Sequence, residues 1–451
     1  MNKPVFTSLL LAASIIAQAQ PSNVIWNPVG GGVNGPVISV LKGGGDTLVV
    51  IGEFTEAGGV QANNVALWDG TAFHALGNGV SGNITSGAIV GQNIYIGGSS
   101  LNTNYTDVAK WDGTAWSYST AFDGNYPQIA TMFVHNDTLY AGGIVSGFLG
   151  SDDRVKRLDN GGWELVGSTL NNIINTLGWH NGQIVVGGEF TALQNGGGTN
   201  LNHVAILNGG EWGPLAAGLP SKVNALLDVD GTLYAAGDIL NGGNAQFGLA
   251  RFPENATAWE DLMPGATSYV NTGSGVDASI FALDHDGSNL FIGGDFDLGS
   301  GSLTGSYVAR FDGVPDAFIP YATFNASVSA LAHNTTLGLV AGGFFTQNGA
   351  TAVDHLGHAD ISTSFGSANG SFPLFELFPN PATDRLSISL MHDAAIYATV
   401  ELLTLDGRVL AGPIQLSAGK ATLDVSKLAD GPYLVRITGM NGLRAVPFMK
   451  Q

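Results

Sequence analysis

Short apolar strands recur along most of the chain, with the polar residues confined to the turns between them. Runs of β-branched and aromatic residues end in one or two glycines, most clearly at Asp46–Phe54, Gly182–Phe190 and Ser288–Phe296. The last glycine of each copy falls at 52, 98, 143, 188, 237, 294 and 343, giving gaps of 46, 45, 45, 49, 57 and 49 residues. A strand-built period of about 40–50 residues predicts a β-propeller. An unbroken apolar run predicts a strand covered on both faces. The terminal glycines mark places where neighbouring backbones must approach closely.

Each repeat predicts four strands. The first is apolar: Val37–Leu41, Ile84–Val90, Ile129–Val134, Ile173–Trp179, Val223–Val229, Ser279–Leu283 and Val328–Leu331. The second is the glycine-terminated strand. The third ends in Asp69-Gly70, Asp112-Gly113 or Asp312-Gly313 in three copies, and Asp-Gly between strands favours a tight hairpin. The fourth is headed by an aromatic: Phe73, Trp116, Trp163, Trp212, Trp259 or Phe318. Repeat seven lacks a good fourth strand, while a spare copy, Trp26–Gly30, precedes repeat one. The expectation is an all-β chain: a seven-bladed propeller over residues 23–365, closed by that N-terminal strand, then a small Ig-like β-sandwich. Closure would cover edges that otherwise invite association. Thr363–Phe365 is the alternative fourth strand.

The glycine doublets and downstream aromatics resemble Kelch-type and galactose-oxidase-like propellers. The chain departs from that pattern on the third strand, where only Trp68 and Trp111 are tryptophan and Leu158, Leu207, Phe252 and Phe311 take the place elsewhere. The resemblance therefore implies an architecture and no particular partner. A galactose-oxidase-like copper site needs a Cys–Tyr cross-link, and the chain has no cysteine.

The two ends read differently. Residues 1–19 have the form of a signal peptide: Lys3, an apolar stretch from Val5 to Ala17, and a small-residue cleavage site at Ala19 and Gln20. After a joint at 366–374, residues 375–451 alternate apolar and polar positions between turns, as an antiparallel sandwich does. Phe378-Pro379-Asn380-Pro381, the turn containing Gly407, Gly431-Pro432-Tyr433 and the terminal Lys450-Gln451 resemble the type A C-terminal sorting domain of the type IX secretion system. That resemblance implies passage through the outer membrane of a Gram-negative bacterium, the secretion machinery as partner, and cleavage near the joint with release or surface attachment.

Charge narrows the classes further. The chain carries 16 Lys+Arg against 36 Asp+Glu, a net charge of −20. From residue 375 onward seven basic residues balance seven acidic ones, so the whole excess lies in residues 1–374. Phosphate backbones would be repelled, which argues against nucleic acid. No mature segment approaches the roughly 18 uninterrupted apolar residues of a membrane span.

Candidate chemistry is sparse. Glu53, Glu189, Asp238 and Asp295 follow the terminal glycine in four repeats. Recurring at one height, they could hold a cation or sugar hydroxyls. The alternative, which the sequence favours, is that each accepts backbone N–H bonds from nearby loops. His135, His180, His285 and His333 end first strands and read as turn residues. His355 and His358 lie three apart on a strand and so face opposite sides, which disfavours a shared ion. The Asp228–Gly231 and Asp284–Gly287 segments faintly resemble calcium loops but fit two-strand turns. Neither a cofactor nor a metal is expected. The loops at 55–63, 191–202, 297–306 and 346–352 share a register and are rich in Gly, Asn and Thr, a composition that suits hydrogen bonding to a glycan or a surface protein. The repeats look regular, which favours a binding or surface role over a hydrolase or lyase at the channel mouth. The long insertion of repeat six, Asn271–Asp277, is the expected place for any breach.

Overall fold

The structure, a computed structural model, describes residues 24–360 and 375–451 except 103–104, 123–124, 148–149, 195–199, 242–243, 246, 265–277, 297–306, 312, 314, 316–317, 391–397, 405–408, 417–419 and 440–441. The chain divides into two compact units, Met1–Ile361 and Ser362–Gln451. Among the described residues there is no α-helix.

In the first unit, repeats one to four each form a four-stranded antiparallel sheet in chain order. Repeat seven forms the same kind of sheet, with Ile25–Pro28 as its fourth strand. Trp26 lies opposite Ala359 in that pairing. The Trp26 ring is fully buried, its Nε1 donates to the Tyr321 carbonyl at 2.9 Å, and it meets Phe324 edge-on at 4.8 Å. Thr363–Phe365, the alternative, lies outside the described residues. The first strands Val37–Lys42, Asn83–Val90, Asn125–His135, Ile174–His180, Val223–Val229, Ala278–His285 and Val328–Asn334 pack each against the next, and the last packs against the first.

The terminal glycines have a common cause. Every first strand carries a register shift, at Ile38, Thr85, Ala130, Asn175, Asn224, Phe281 and Ser329. The residue before each shift pairs with the terminal glycine. The bulge tips the preceding carbonyl across the strand, and a Cβ on the glycine would sit about on top of it. That gap would be 2.1 Å for Gly52, Gly98, Gly188 and Gly294, 2.2 Å for Gly237 and Gly343, and 2.3 Å for Gly143. The preceding position receives a branched side chain of the next sheet instead. Cβ atoms there would fall 2.6 Å from Ile129 at Gly97, 2.7 Å from Ile174 at Gly142 and 2.7 Å from Val223 at Gly187. At Gly342 the intruding side chain is Val37 of repeat one, at 2.4 Å.

Repeats five and six depart from the pattern. Thr232–Asn241 of repeat five pairs with Ala278–His285 of repeat six, merging both into one nine-stranded sheet. The expectation of regular repeats is therefore corrected here. The merger sits beside the insertion at 271–277, which lies outside the described residues.

The second unit has one three-stranded sheet, Phe375–Phe378, Arg385–Leu390 and Lys420–Asp424, and one four-stranded sheet, Val409–Gln415, Ala398–Leu403, Gly431–Gly439 and Gly442–Lys450. Apolar residues of both sheets, among them Leu386, Ile388, Val400, Leu402, Val435 and Phe448, form one buried core.

Candidate functional site

The merger of repeats five and six brings polar side chains together at the end where first strands begin. Asp238 lies opposite Ser279 on one side, and Asp295 lies opposite Ser279 on the other. Directly opposed residues project from the same face, so the three form a row. Its two carboxylates stand two strand spacings apart, about 9–10 Å at the backbone. Ser279 Oγ donates to Asp238 Oδ1 at 2.7 Å, and Lys222 Nζ lies 3.6 Å from the same oxygen. Asp238 is only 1% exposed. This ion pair and hydroxyl offset the large cost of burying an isolated carboxylate.

Asp295 is half-buried, and that burial pushes its carboxyl above the ordinary range. His203 of repeat four stands beside Glu189 and Asp238. Burial pushes its imidazole down, against the upward pull of the Gly188 backbone and the two carboxylates. The buried Ser221 hydroxyl has no hydrogen-bond partner among the described residues. Three of the four sequence candidates thus lie on neighbouring repeats four to six. Glu53, on repeat one, is exposed and stands outside this group. Among the described residues no three His, Asp or Glu side chains are grouped to hold a metal.

In repeats one, four and seven the loop after the second strand is tethered by an asparagine. Asn34, Asn171 and Asn325 each stand three residues before a first strand. Asn171 Oδ1 accepts from the N–H groups of Thr191 and Ala192 at 2.9 and 3.1 Å, and its Nδ2 donates to Thr191 Oγ1 at 3.1 Å. Asn34 holds Thr55 and Glu56 in the same way, and Asn325 holds Thr346 and Gln347. The signal was present in sequence: Asn at one register, answered by Phe-Thr after the second strand at 54–55, 190–191 and 345–346. Of the candidate binding loops, 297–306 lies outside the described residues, as does part of 191–202.

The histidines need a partial correction. His285 does turn work, accepting from the Gly287 N–H at 3.0 Å, and the buried His333 Nδ1 has no hydrogen-bond partner among the described residues. His180 is buried and bonds Asp228 Oδ2 at 2.7 Å, while His135 stacks on Trp179 at 3.7 Å. A strand's end here is another sheet's neighbour, so these rings find tertiary partners. His355 and His358 contact different carbonyls, of Gly343 and Leu337. Asp228 and Asp286 accept N–H bonds within their own turns, as hairpin chemistry requires.

In the second unit the C-terminal motif residues converge. Asn380 Oδ1 accepts from the Met449 N–H at 2.9 Å, and Ala382, beside Pro381, bridges Lys450. Lys450 is 7% exposed and reaches Asp430 Oδ1 at 3.4 Å, next to Gly431. Tyr433 stacks on Phe448 at 5.9 Å and donates to the Ala429 carbonyl. Pro379 is exposed. Gly407, Ala19 and Gln20 lie outside the described residues.

Residues 376–446 match the family described as Secretion system C-terminal sorting domain. The protein carries a type IX sorting signal. Its destination is the outer membrane or the extracellular space. No helix among the described residues is long and apolar enough to cross a membrane. No curated protein matches the sequence. Among solved structures, the computationally designed Ika8 protein is 12% identical over 92% of this chain and 96% of its own, with a TM-score of 0.42. The extracellular domain of a proposed hybrid two component system from B. thetaiotaomicron is 12% identical over 96% of this chain and 60% of its own, with a TM-score of 0.43. The Dos1 propeller is 8% identical over 68% of this chain and 90% of its own, with a TM-score of 0.41.

Proposed function

We propose that this is an exported binding protein built as a seven-bladed, Kelch-like ring over residues 23–365, closed by Ile25–Pro28. Residues 1–19 direct Sec export to the periplasm. The sorting domain engages the type IX machinery and is then cut off within 366–374, leaving the passenger released or surface-attached. The cycle of first-strand contacts and the seating of Val37 against Gly342 support the ring.

The row Asp238–Ser279–Asp295 carries the binding reading. Asp295 and Glu189 offer carboxylate acceptors to ligand hydroxyls, and the Asn-tethered loops frame the same end. A polyhydroxylated ligand, a glycan of the cell surface, fits those groups. The test is a glycan array probed with the secreted chain and with Asp295→Asn and Glu189→Gln. Retention of a glycan by the native chain, weakened about tenfold by either change, supports the reading. Undiminished retention by both variants, or no retention by the native chain, overturns it.

One observation favours a second reading, a carbohydrate-active hydrolase. Asp238 and Asp295 stand in one row about 9–10 Å apart at the backbone, a placement that allows the roughly 6.5–9.5 Å carboxyl separation of inverting pairs. Against it, Asp238 is buried and engaged by Ser279 and Lys222, a poor position for activating water. Release of reducing ends from an array hit, abolished by Asp238→Asn, would establish the hydrolase.

A further inference from the structure

The repeat is broken at two positions that face one groove between repeats two and three. On the third strand, one register position holds Ala66, Ala109, Ala205, Ala250, Ala309 or Gly357, but in repeat three it holds Lys156. Three residues after the aromatic that heads the fourth strand stand Val29, Leu76, Val166, Leu215, Leu262 or Tyr321, but in repeat two the residue is Ser119. The first change places an ammonium between two sheets. The second removes the apolar side chain that fills this place in the other repeats.

The result is a groove of about 370 Å³ whose lining includes Tyr95, Lys110, Ser119, Thr120, Lys156 and Trp163 and, among the described residues, contains no Asp or Glu. That is notable in a chain where acids outnumber bases 36 to 16. Lys110 Nζ sits 5.7 Å over the Tyr95 ring, packed on an aromatic face. Lys156, 8% exposed, donates to the Ala121 carbonyl at 2.6 Å. The fully buried Asp107 faces Lys156 and accepts from the Ala121 and Phe122 N–H groups at 2.6 and 2.9 Å. Asp107 and Lys156 thus pin the Ala121–Phe122 strap that forms one wall, while Lys110 supplies the charge at the opening.

We propose that this groove binds the carboxylate-bearing unit of an acidic glycan. Its volume suits one or two sugar rings. Trp163 offers a flat apolar face to the sugar C–H groups, Ser119 and Thr120 bond hydroxyls, and Lys110, held over the buried Tyr95 ring, receives the carboxylate. The site stands on different repeats from the Asp238 row and does not depend on it.

Titration calorimetry on the full chain tests it, with galacturonate and glucuronate trisaccharides as probes and a neutral galactose trisaccharide as control. Binding of one acidic probe, weakening with added salt and falling about tenfold in Lys110→Gln, is expected. Ser119→Leu restores the residue type of the other repeats, so it fills the groove with little harm to packing. It is expected to lose binding while the thermal unfolding midpoint stays in place. Binding of neither acidic probe, equal binding of the neutral sugar, or undiminished binding by a folded Ser119→Leu chain overturns the proposal. Asp295→Asn leaves this binding unchanged, which separates it from the rim.

Discussion

Ser279 Oγ donates a 2.7 Å hydrogen bond to Asp238 Oδ1, tying repeat six to repeat five at the point where their sheets merge. Both residues are nearly inaccessible, at 4% and 1% exposure. Ser279→Ala leaves a buried carboxylate with Lys222 as its remaining charged neighbour. A destabilisation of about 1–3 kcal/mol is expected, read from the midpoint of urea unfolding with the slope unchanged.

The terminal glycines differ from other glycines by what a Cβ would strike. At Gly343 it would stand 2.2 Å from the Ser327 carbonyl oxygen, which is backbone and cannot step aside. Gly44 has nothing within 4 Å. Gly343→Ala is expected to cost about 1–3 kcal/mol or more, and Gly44→Ala to lie within about 0.5 kcal/mol of the native chain. Equal unfolding midpoints for the two variants would contradict the bulge-and-glycine account.

Asp112 caps its turn by accepting from the N–H groups of Ala115 and Thr114 and from the Thr114 hydroxyl. The Ala115 bond is the largest cause, and together these hold the carboxyl down at about 2. A lowered folded-state value means the stabilisation is present above the ordinary 3.8 and disappears as pH falls through about 2. The difference in melting temperature between native chain and Asp112→Asn should therefore be fully present at pH 6 and shrink towards pH 2. A difference that is flat across that range would show that the charge contributes nothing.

Asn171 holds two loop amides. Asn171→Ala should leave the sheets folded, because the bonds lie in a surface loop outside them, and raise hydrogen exchange at Thr191 and Ala192 by about tenfold, equivalent to roughly 1.4 kcal/mol of lost local protection. Exchange at Val185 and Val186, inside the sheet, serves as the unchanged control.

Removal of residues 375–451 should leave the passenger inside the outer membrane of a type IX-competent host. Cell fractionation and immunoblotting read the result, and surface or medium localisation of the truncated chain would be the contrary outcome.

Period, strand order and the sorting motif could all be read directly. Seven glycine-terminated runs at near-even spacing require near-identical local geometry, and the spare Trp26 strand has its partner in Leu356–Asp360. The candidate site was legible only in part. Asp238 and Asp295 stood out as recurrent acids, but nothing local to either residue says that Ser279 lies between them. Asn171 was overlooked because a tethering Asn reads like any other loop Asn until its Phe-Thr partner is seen across the turn.

From sequence alone came everything that depends on neighbours along the chain: alternation, turn chemistry, repeat length, and the motif that marks the second unit for export. Tertiary structure decided what depends on neighbours in space. It set the bulge that makes each last glycine obligatory and the merger of repeats five and six. It also brought Lys156 and Ser119 into the lining of one groove. The reason is physical. Backbone preferences act over a few residues and leave a periodic trace, whereas a contact across 35 positions, as between Ala121 and Lys156, is written in no local pattern until packing brings the strands together.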